Sequence, residues 1–161
     1  MSVEFLDTEQ VSYDVQADTL MAAAETFSQM DEAAKTEWFP RYDYQTTGNE
    51  LSNATITVGT RITMPHWSGY SSASQAEKDE WDRFFAALQA HEQGHLDLVM
   101  QHLDHVDEPL VGKSVDGAAQ VWQSALAALL SASRAYDGQT DHGRNQGTII
   151  DVSVGAPEID S

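Results

Sequence analysis

Residues 75–106 decide the fold, and they read QAEKDEWDRFFAALQAHEQGHLDLVMQHLDHV. Apolar and aromatic residues recur in this stretch every three or four positions, which is the spacing of one face of an amphipathic helix. The members of this face are Trp81, Phe84, Phe85, Leu88, His95, Leu96, Val99, Leu103 and Val106. We therefore predict one long helix, with His91 and His95 at the edge of its apolar face.

The pentapeptide His91-Glu92-Gln93-Gly94-His95 within this helix has the pattern H-E-x-x-H. Residues i and i+4 of a helix lie on one face, one turn apart, so both imidazoles can bind a single Zn²⁺. Glu92, next to the first ligand, can act as general base on the zinc-bound water. The pattern predicts a zinc metallopeptidase that hydrolyses peptide bonds.

A catalytic zinc ion usually has three protein ligands and one open position. His142 is our candidate for the third ligand, because it follows a second helix that can pack antiparallel to the first. It also precedes Gly143, where the backbone can bend to present a ligand. Asp137 and Asp141 are the alternatives, and each would supply a carboxylate oxygen.

The other histidines fit a zinc site less well. Helix rise puts His102 about 10 Å along the axis from His95, and His105 lies farther still. We predict that both are surface residues. His66 follows the longest candidate strand, and a histidine there is more often a packing or hydrogen-bonding residue.

Hydrolysis also needs a group that stabilises the developing oxyanion. Tyr136 is the candidate, with Arg144 behind it, and the alternative is that Tyr136 only packs against the helix. Asp97 or Asp137 could orient a ligand imidazole. The strand over residues 55–64 could supply an edge that binds an extended peptide.

Strands and helices are both expected outside the long helix, which predicts an α+β fold. Alternating β-branched and polar residues predict strands within residues 3–15, 38–44 and 54–64. Helical spacing predicts two further helices, at residues 17–30 and 116–136. The expected boundary residues are Asp18 and Asp116 as N-caps, Gly48-Asn49 as a turn, Pro65 as a strand end and Gly138 as a helix stop.

Length and composition narrow the class of protein. With 161 residues the chain is expected to form one domain, with a core at about 3–154 and a frayed tail of seven residues. It has no cysteine, so thiolate zinc sites are excluded. Its 8 basic and 26 acidic residues give a net charge of −18, which argues against nucleic-acid partners. No apolar run is long enough for membrane insertion, and no pattern indicates the oligomeric state.

A second motif lies downstream of the helices. It has the pattern Y-D-x-x-T-x-H-G-x-x-Q-G and comprises Tyr136, Asp137, Thr140, His142, Gly143, Gln146 and Gly147. With H-E-x-x-H and the strand ending in Met64-Pro65-x-Trp67, it resembles a bacterial family described as secreted zinc-dependent proteases. The resemblance runs over residues 11–147. It implies a small zincin-like fold, in which a mixed or antiparallel sheet packs on an active-site helix and a backing helix.

The resemblance also implies a secreted or periplasmic location and a peptide or protein substrate. The first ten residues have no basic segment and no apolar segment of a signal peptide, so a cytoplasmic location is the alternative. The alternative to a peptidase is a catalytically weak or inactive module, which keeps the zinc-binding scaffold and contacts other proteins. A helical adaptor, in which the pentapeptide is a coincidence, is a third reading.

Overall fold

The computed structural model describes residues 2–154, which fold into strands followed by long helices. The strands in this part of the chain are β1 (Ser2–Phe5), β2 (Glu9–Val15), β3 (Lys35–Thr47) and β4 (Glu50–Trp67). Its α-helices are α1 (Leu20–Ser28), α2 (Gln75–Leu103) and α3 (Val115–Gln139). The predicted α+β class is confirmed. The seven-residue tail that we predicted to be frayed lies outside the described residues.

The sheet is built around β4, which pairs with each of the other three strands described. β1 runs parallel to β4, from Ser2 opposite Thr55 to Phe5 opposite Val58. β3 leads into β4 through the predicted Gly48-Asn49 turn, and a connection that short joins antiparallel neighbours. Buried residues alternate along β4 from Ala54 to Val58, so one face of the strand lies in the core.

Two expectations about β4 were wrong. Pro65 does not end the strand but is buried inside it, because the fixed φ of proline is compatible with extended backbone. Proline removes one hydrogen-bond donor without turning the chain. Residues 55–64 also do not offer a free edge to a peptide, since Thr55–Val58 already pair with β1 in the middle of the sheet.

The N-terminus of α1 is capped by Thr19, whose side chain accepts a hydrogen bond from Ala22 N at 3.1 Å. The prediction of Asp18 as N-cap was therefore wrong by one residue. α2 begins with a reciprocal pair that satisfies two backbone donors. Ser74 Oγ accepts from Glu77 N at 3.2 Å, and Glu77 Oε1 accepts from Ser74 N at 3.3 Å.

α3 begins one residue earlier and ends later than expected. Ser114 Oγ accepts a hydrogen bond from Gly117 N at 3.0 Å, so Ser114 caps the helix. Asp116, predicted as the cap, lies instead in the first turn, where its charge favours the helix dipole. Gly138 lies inside α3 rather than stopping it, and the helix ends at the next residue.

The chain forms two compact units. Among the described residues, the first comprises 2–9, 36–61 and 94–136, and the second comprises 10–35, 62–93 and 137–154. α2, α3 and β4 each contribute residues to both units. The single domain predicted for residues 1–161 stays a prediction.

The core of the first unit is an aliphatic cluster with one buried tryptophan. Its buried members are Leu51, Ala54, Ile56, Val58, Val99, Leu103, Val106, Leu110, Ala118, Trp122 and Leu129. The core of the second unit contains an aromatic cluster, in which Phe27, Trp67, Trp81 and Phe84 have ring centroids 5.2–6.0 Å apart in successive pairs. No helix within residues 2–154 is both long and apolar enough to cross a membrane.

Candidate metal centre

The pentapeptide HEQGH lies on α2, as its spacing predicted. His91 and His95 are one helical turn apart and both are buried, at 5% and 7% exposure. Glu92 is buried as well, at 3% exposure. Buried ionisable side chains need partners, so three of them within five residues indicate a functional site rather than a packing motif.

A third potential ligand comes from the last turn of α3. Asp137 Oδ1 lies 3.0 Å from His91 Nε2. Ligand atoms of His91, His95 and Asp137 all lie within 4.8 Å of one another, so this group could hold a metal ion. Two ligand atoms that share one Zn²⁺ at about 2.0–2.2 Å are themselves roughly 3 to 3.6 Å apart, and the His91–Asp137 distance is at the short end of that range.

Both ring nitrogens of His91 face oxygen atoms. Nδ1 is 2.8 Å from Gln146 Oε1, and Nε2 is 3.0 Å from Asp137 Oδ1. A neutral imidazole has one N–H and can donate to only one of these acceptors. A cation bound at the other ring nitrogen would account for the second contact. With Nδ1 donating to Gln146, Nε2 is the nitrogen that would bind a metal.

His95 is held by two residues of α3. Its Nδ1 lies 2.7 Å from Ser133 Oγ, which sets the direction of the ring. The Tyr136 ring packs edge-on against the imidazole, with centroids 4.8 Å apart. Ser133, Tyr136 and Asp137 are spaced three and four residues apart, so they share one face of α3.

Gly94 makes the close approach of Tyr136 possible. A Cβ atom at Gly94 would collide with the hydroxyl oxygen and Cζ of Tyr136. The position between the two histidines therefore has to be glycine for this packing. The contacts of Tyr136 with His95 and Gly94 favour a packing role, and its proposed role towards the oxyanion stays a prediction.

His142 is not a member of the three-residue metal group. It is exposed and lies in a segment of left-handed backbone, with φ of 50° at Asp141, 55° at His142 and 86° at Gly143. Such values are uncommon for residues other than glycine and often mark functional segments. The backbone N–H of His142 donates to Asp137 O at 2.6 Å, which holds this segment beside the group. His142 as a ligand stays a prediction.

The other candidates lie outside this group. His66 is exposed and contacts Asp14 at 3.2 Å. His102 Nδ1 lies 2.9 Å from Leu98 O in the preceding helical turn, and His105 is 75% exposed. Asp97 is exposed on α2.

A cavity of about 370 Å³ opens beside the centre, and His91, Glu92, Asp137, His142 and Arg144 all line it. Arg144 also forms an ion pair with Asp141 at 3.2 Å. The cavity therefore brings the proposed general base, two potential ligands and a cationic side chain to one space. These are the groups that hydrolysis of a carbonyl compound requires.

Glu32 adds another carboxylate to this cavity. Partial burial raises the pKa of Glu32, and the negative charge of Asp137 raises it further. Lys35 lowers the pKa, Asp31 raises it, and His142 lowers it, each to a smaller extent. The raised pKa of Glu32 therefore reflects its partial burial first and the neighbouring charge of Asp137 second.

One protein-family model matches most of the chain. A family model described as "Bacterial protein of unknown function (DUF922)" matches residues 10–143. The chain belongs to this family. The match to DUF922 spans HEQGH, Asp137 and His142, and it ends before Gln146. A search of curated proteins and a search of solved structures returned no match.

Sequence reasoning missed three positions of the DUF922 centre. Gln146 belongs to the downstream motif, but the motif did not indicate a contact with His91. Ser133 could have been found from helical spacing, since it precedes Asp137 by four residues. Gly94 looked like an unspecified position of H-E-x-x-H, and only the structure places Tyr136 against it.

Proposed function

We propose that this DUF922 protein is a zinc-dependent peptidase. The observation that carries the proposal is the ligand group of His91, His95 and Asp137, with Glu92 lining the cavity that adjoins it. Two imidazoles and one carboxylate, with no thiolate in the chain, form a ligand set that is well established for catalytic zinc.

The chemistry follows from the positions of the side chains. A bound Zn²⁺ ion would supply Lewis-acid polarisation of the substrate carbonyl and would acidify a coordinated water. Glu92 takes a proton from the attacking water and transfers it to the leaving amine, so the peptide bond is exchanged for a carboxylate and an amine. Gln146 and Ser133 hold the two imidazoles in orientation. Arg144 offers a positive charge to the developing oxyanion.

Asp137 and His142 are the two candidates for the third zinc ligand. We favour Asp137, because its carboxylate lies 3.0 Å from His91 Nε2. His142 lines the same cavity but is not a member of the group of ligand atoms within 4.8 Å of one another. Asp137→Asn is expected to lower zinc affinity at least tenfold, whereas His142→Ala should lower it less. Elemental analysis after dialysis measures the difference, and the reverse order would assign the ligand role to His142.

The decisive test of function is Glu92→Gln. This variant should keep zinc at one equivalent and lose cleavage of casein and of a peptide library by at least 100-fold, since general-base catalysis contributes about 10²–10⁴-fold. Glu25→Gln, an exposed position on α1, is the matched control and should keep full activity. Chelator should abolish cleavage by the wild type, and added zinc should restore it.

The possible results separate the readings. Turnover that survives in Glu92→Gln would remove its role as base. Zinc binding without cleavage by the wild type would favour the inactive interaction module. Absence of zinc binding would leave only the helical adaptor.

A further inference from the structure

The cavity beside His91 and Glu92 has an apolar interior. Phe84, Leu88 and Ile150 contribute to its lining and are themselves 1–5% exposed, so they form its floor. Its volume of about 370 Å³ is near the lower end of the range for ligand sites, which is roughly 300–1,000 Å³. A cavity of this size accommodates one large side chain rather than an extended ligand.

Large apolar side chains also surround the opening of this cavity. Met30, Ile149 and Val152 line it and are 39%, 56% and 50% exposed. A group of exposed apolar side chains around one cavity often marks a binding surface. An incoming apolar group would contact these three residues first and then reach the floor.

Hydrogen bonds from Arg83 and to Glu80 fix one wall of the cavity. Residues 147–151 have no helix or strand, but Arg83 donates to Gly147 O at 2.9 Å and to Ile149 O at 2.7 Å. Buried Glu80 accepts from Asp151 N at 2.5 Å and pairs with Arg83 at 2.6 Å. A wall fixed by these bonds does not have to become ordered when a ligand enters, which favours binding.

Charge at the cavity sets a second criterion for the ligand. Asp31, Glu32 and Asp137 line it together with Arg144, and the pKa of Glu32 is raised mainly by partial burial and next by the charge of Asp137. An acidic side chain that reached the apolar floor would lose its hydration without gaining a partner there, which disfavours its binding.

We propose that this cavity is the specificity pocket of the enzyme and takes a bulky apolar side chain, of the size of Phe or Leu, next to the scissile bond. The assignment rests on the proposed function, because His91 and Glu92 in the cavity wall place the reacting bond beside it. A pocket of this kind typically discriminates by roughly 10- to 200-fold for each methylene removed or added. Peptides with Phe or Leu at this position should therefore be preferred at least tenfold over those with Ala, and Asp should be rejected.

The test measures binding apart from turnover. Zinc-loaded Glu92→Gln protein is titrated with Gly-Gly-Ala-X-Ala-Gly-Gly peptides, X being Phe, Leu, Ala or Asp, by calorimetry. A second substitution, Ala24→Leu, fills the cavity from α1 and should abolish the preference for Phe and Leu. Ala22 lies on the same helix but does not line the cavity, so Ala22→Leu should leave the preference for Phe and Leu intact. Ile149→Asp at the opening is a second disrupting variant in case Ala24→Leu does not fold.

Equal affinities for the four peptides would overturn the pocket, as would a preference that a folded Ala24→Leu or Ile149→Asp variant retains. Cleavage by the wild type with no preference at X would also overturn the pocket but would support the peptidase. Selective binding without any cleavage by the wild type would support the pocket and refute the proposed function.

Discussion

Gly94→Ala is the substitution whose effect follows most directly from the structure. A Cβ atom at this position would overlap the hydroxyl oxygen and Cζ of Tyr136 and would lie 3.0 Å from its Cε1. The ring cannot simply swing aside, because it packs edge-on against His95 at 4.8 Å. The methyl group therefore has to be accommodated by moving Tyr136 or α2.

The magnitude is the difference between two opposing effects. Alanine in place of glycine inside a helix stabilises by about 0.8–1.0 kcal/mol. An extra carbon in a tightly packed position costs about 1–3 kcal/mol, occasionally more. Gly138→Ala is the matched control, since a Cβ atom there meets nothing within 4 Å and Gly138 is also helical. The free energy of unfolding of Gly94→Ala should thus fall about 1–3 kcal/mol below that of Gly138→Ala.

Urea unfolding followed by circular dichroism measures both variants, with chelator present so that metal binding does not add to stability. Gly138→Ala is expected to match or exceed the wild type. We also expect weaker zinc binding by Gly94→Ala, because displacing Tyr136 disturbs the packing of His95. If the two variants were equally stable and bound zinc equally well, the close packing of Tyr136 over Gly94 would be refuted.

Two further perturbations test the support around the centre. Gln146→Ala should weaken zinc affinity about 10- to 100-fold, because it removes the partner that orients the His91 imidazole. The exposed control Asn145→Ala should leave zinc affinity unchanged. Competition with a zinc-binding dye measures both variants, and equal affinities would contradict this role of Gln146. Glu80→Gln should cost about 1–3 kcal/mol near neutral pH through the loss of charge-assisted hydrogen bonds, including those with Arg83. The hydrogen bonds from Arg83 depress the folded-state pKa of Glu80, so this stability is present above the unfolded pKa and is lost as pH falls through the folded one. Urea midpoints of wild type and Glu80→Gln should therefore converge in acid and separate towards pH 7, and a constant gap would refute the argument.

The helical part of the centre could be predicted because its information is local. Apolar spacing specified α2, and the i, i+4 geometry then placed His91 and His95 together without any knowledge of the tertiary fold. The two helix caps on α1 and α3 were less predictable. Asp18 and Thr19 are adjacent and both residue types are good N-caps, so a shift of one residue in the start of α1 decides which of them caps it.

Which of Asp137 and His142 lies in the three-residue group could not be predicted, for a different reason. Whether Asp137 or His142 faces the histidines depends on where α3 ends and on the backbone that follows. α3 continues through Gly138, which keeps Asp137 on the helix face that it shares with Ser133. The turn to left-handed φ at Asp141 and His142 then sets the direction of the next side chain. Asp and His adopt this conformation more often than most residues, but their presence alone does not specify it.

The charges around the centre favour a cation over an anion. Asp137 and Glu92 bring carboxylates to one cavity with two imidazoles, and Glu32 lines that cavity too. His91 already has an oxygen on each side and one proton to share when neutral. A divalent cation at Nε2 satisfies the second contact and neutralises the surplus of carboxylate charge at the same time, whereas an anion would worsen both. A bound cation would itself supply the counter-charge for these carboxylates, so the proposed site needs no basic cluster beside it.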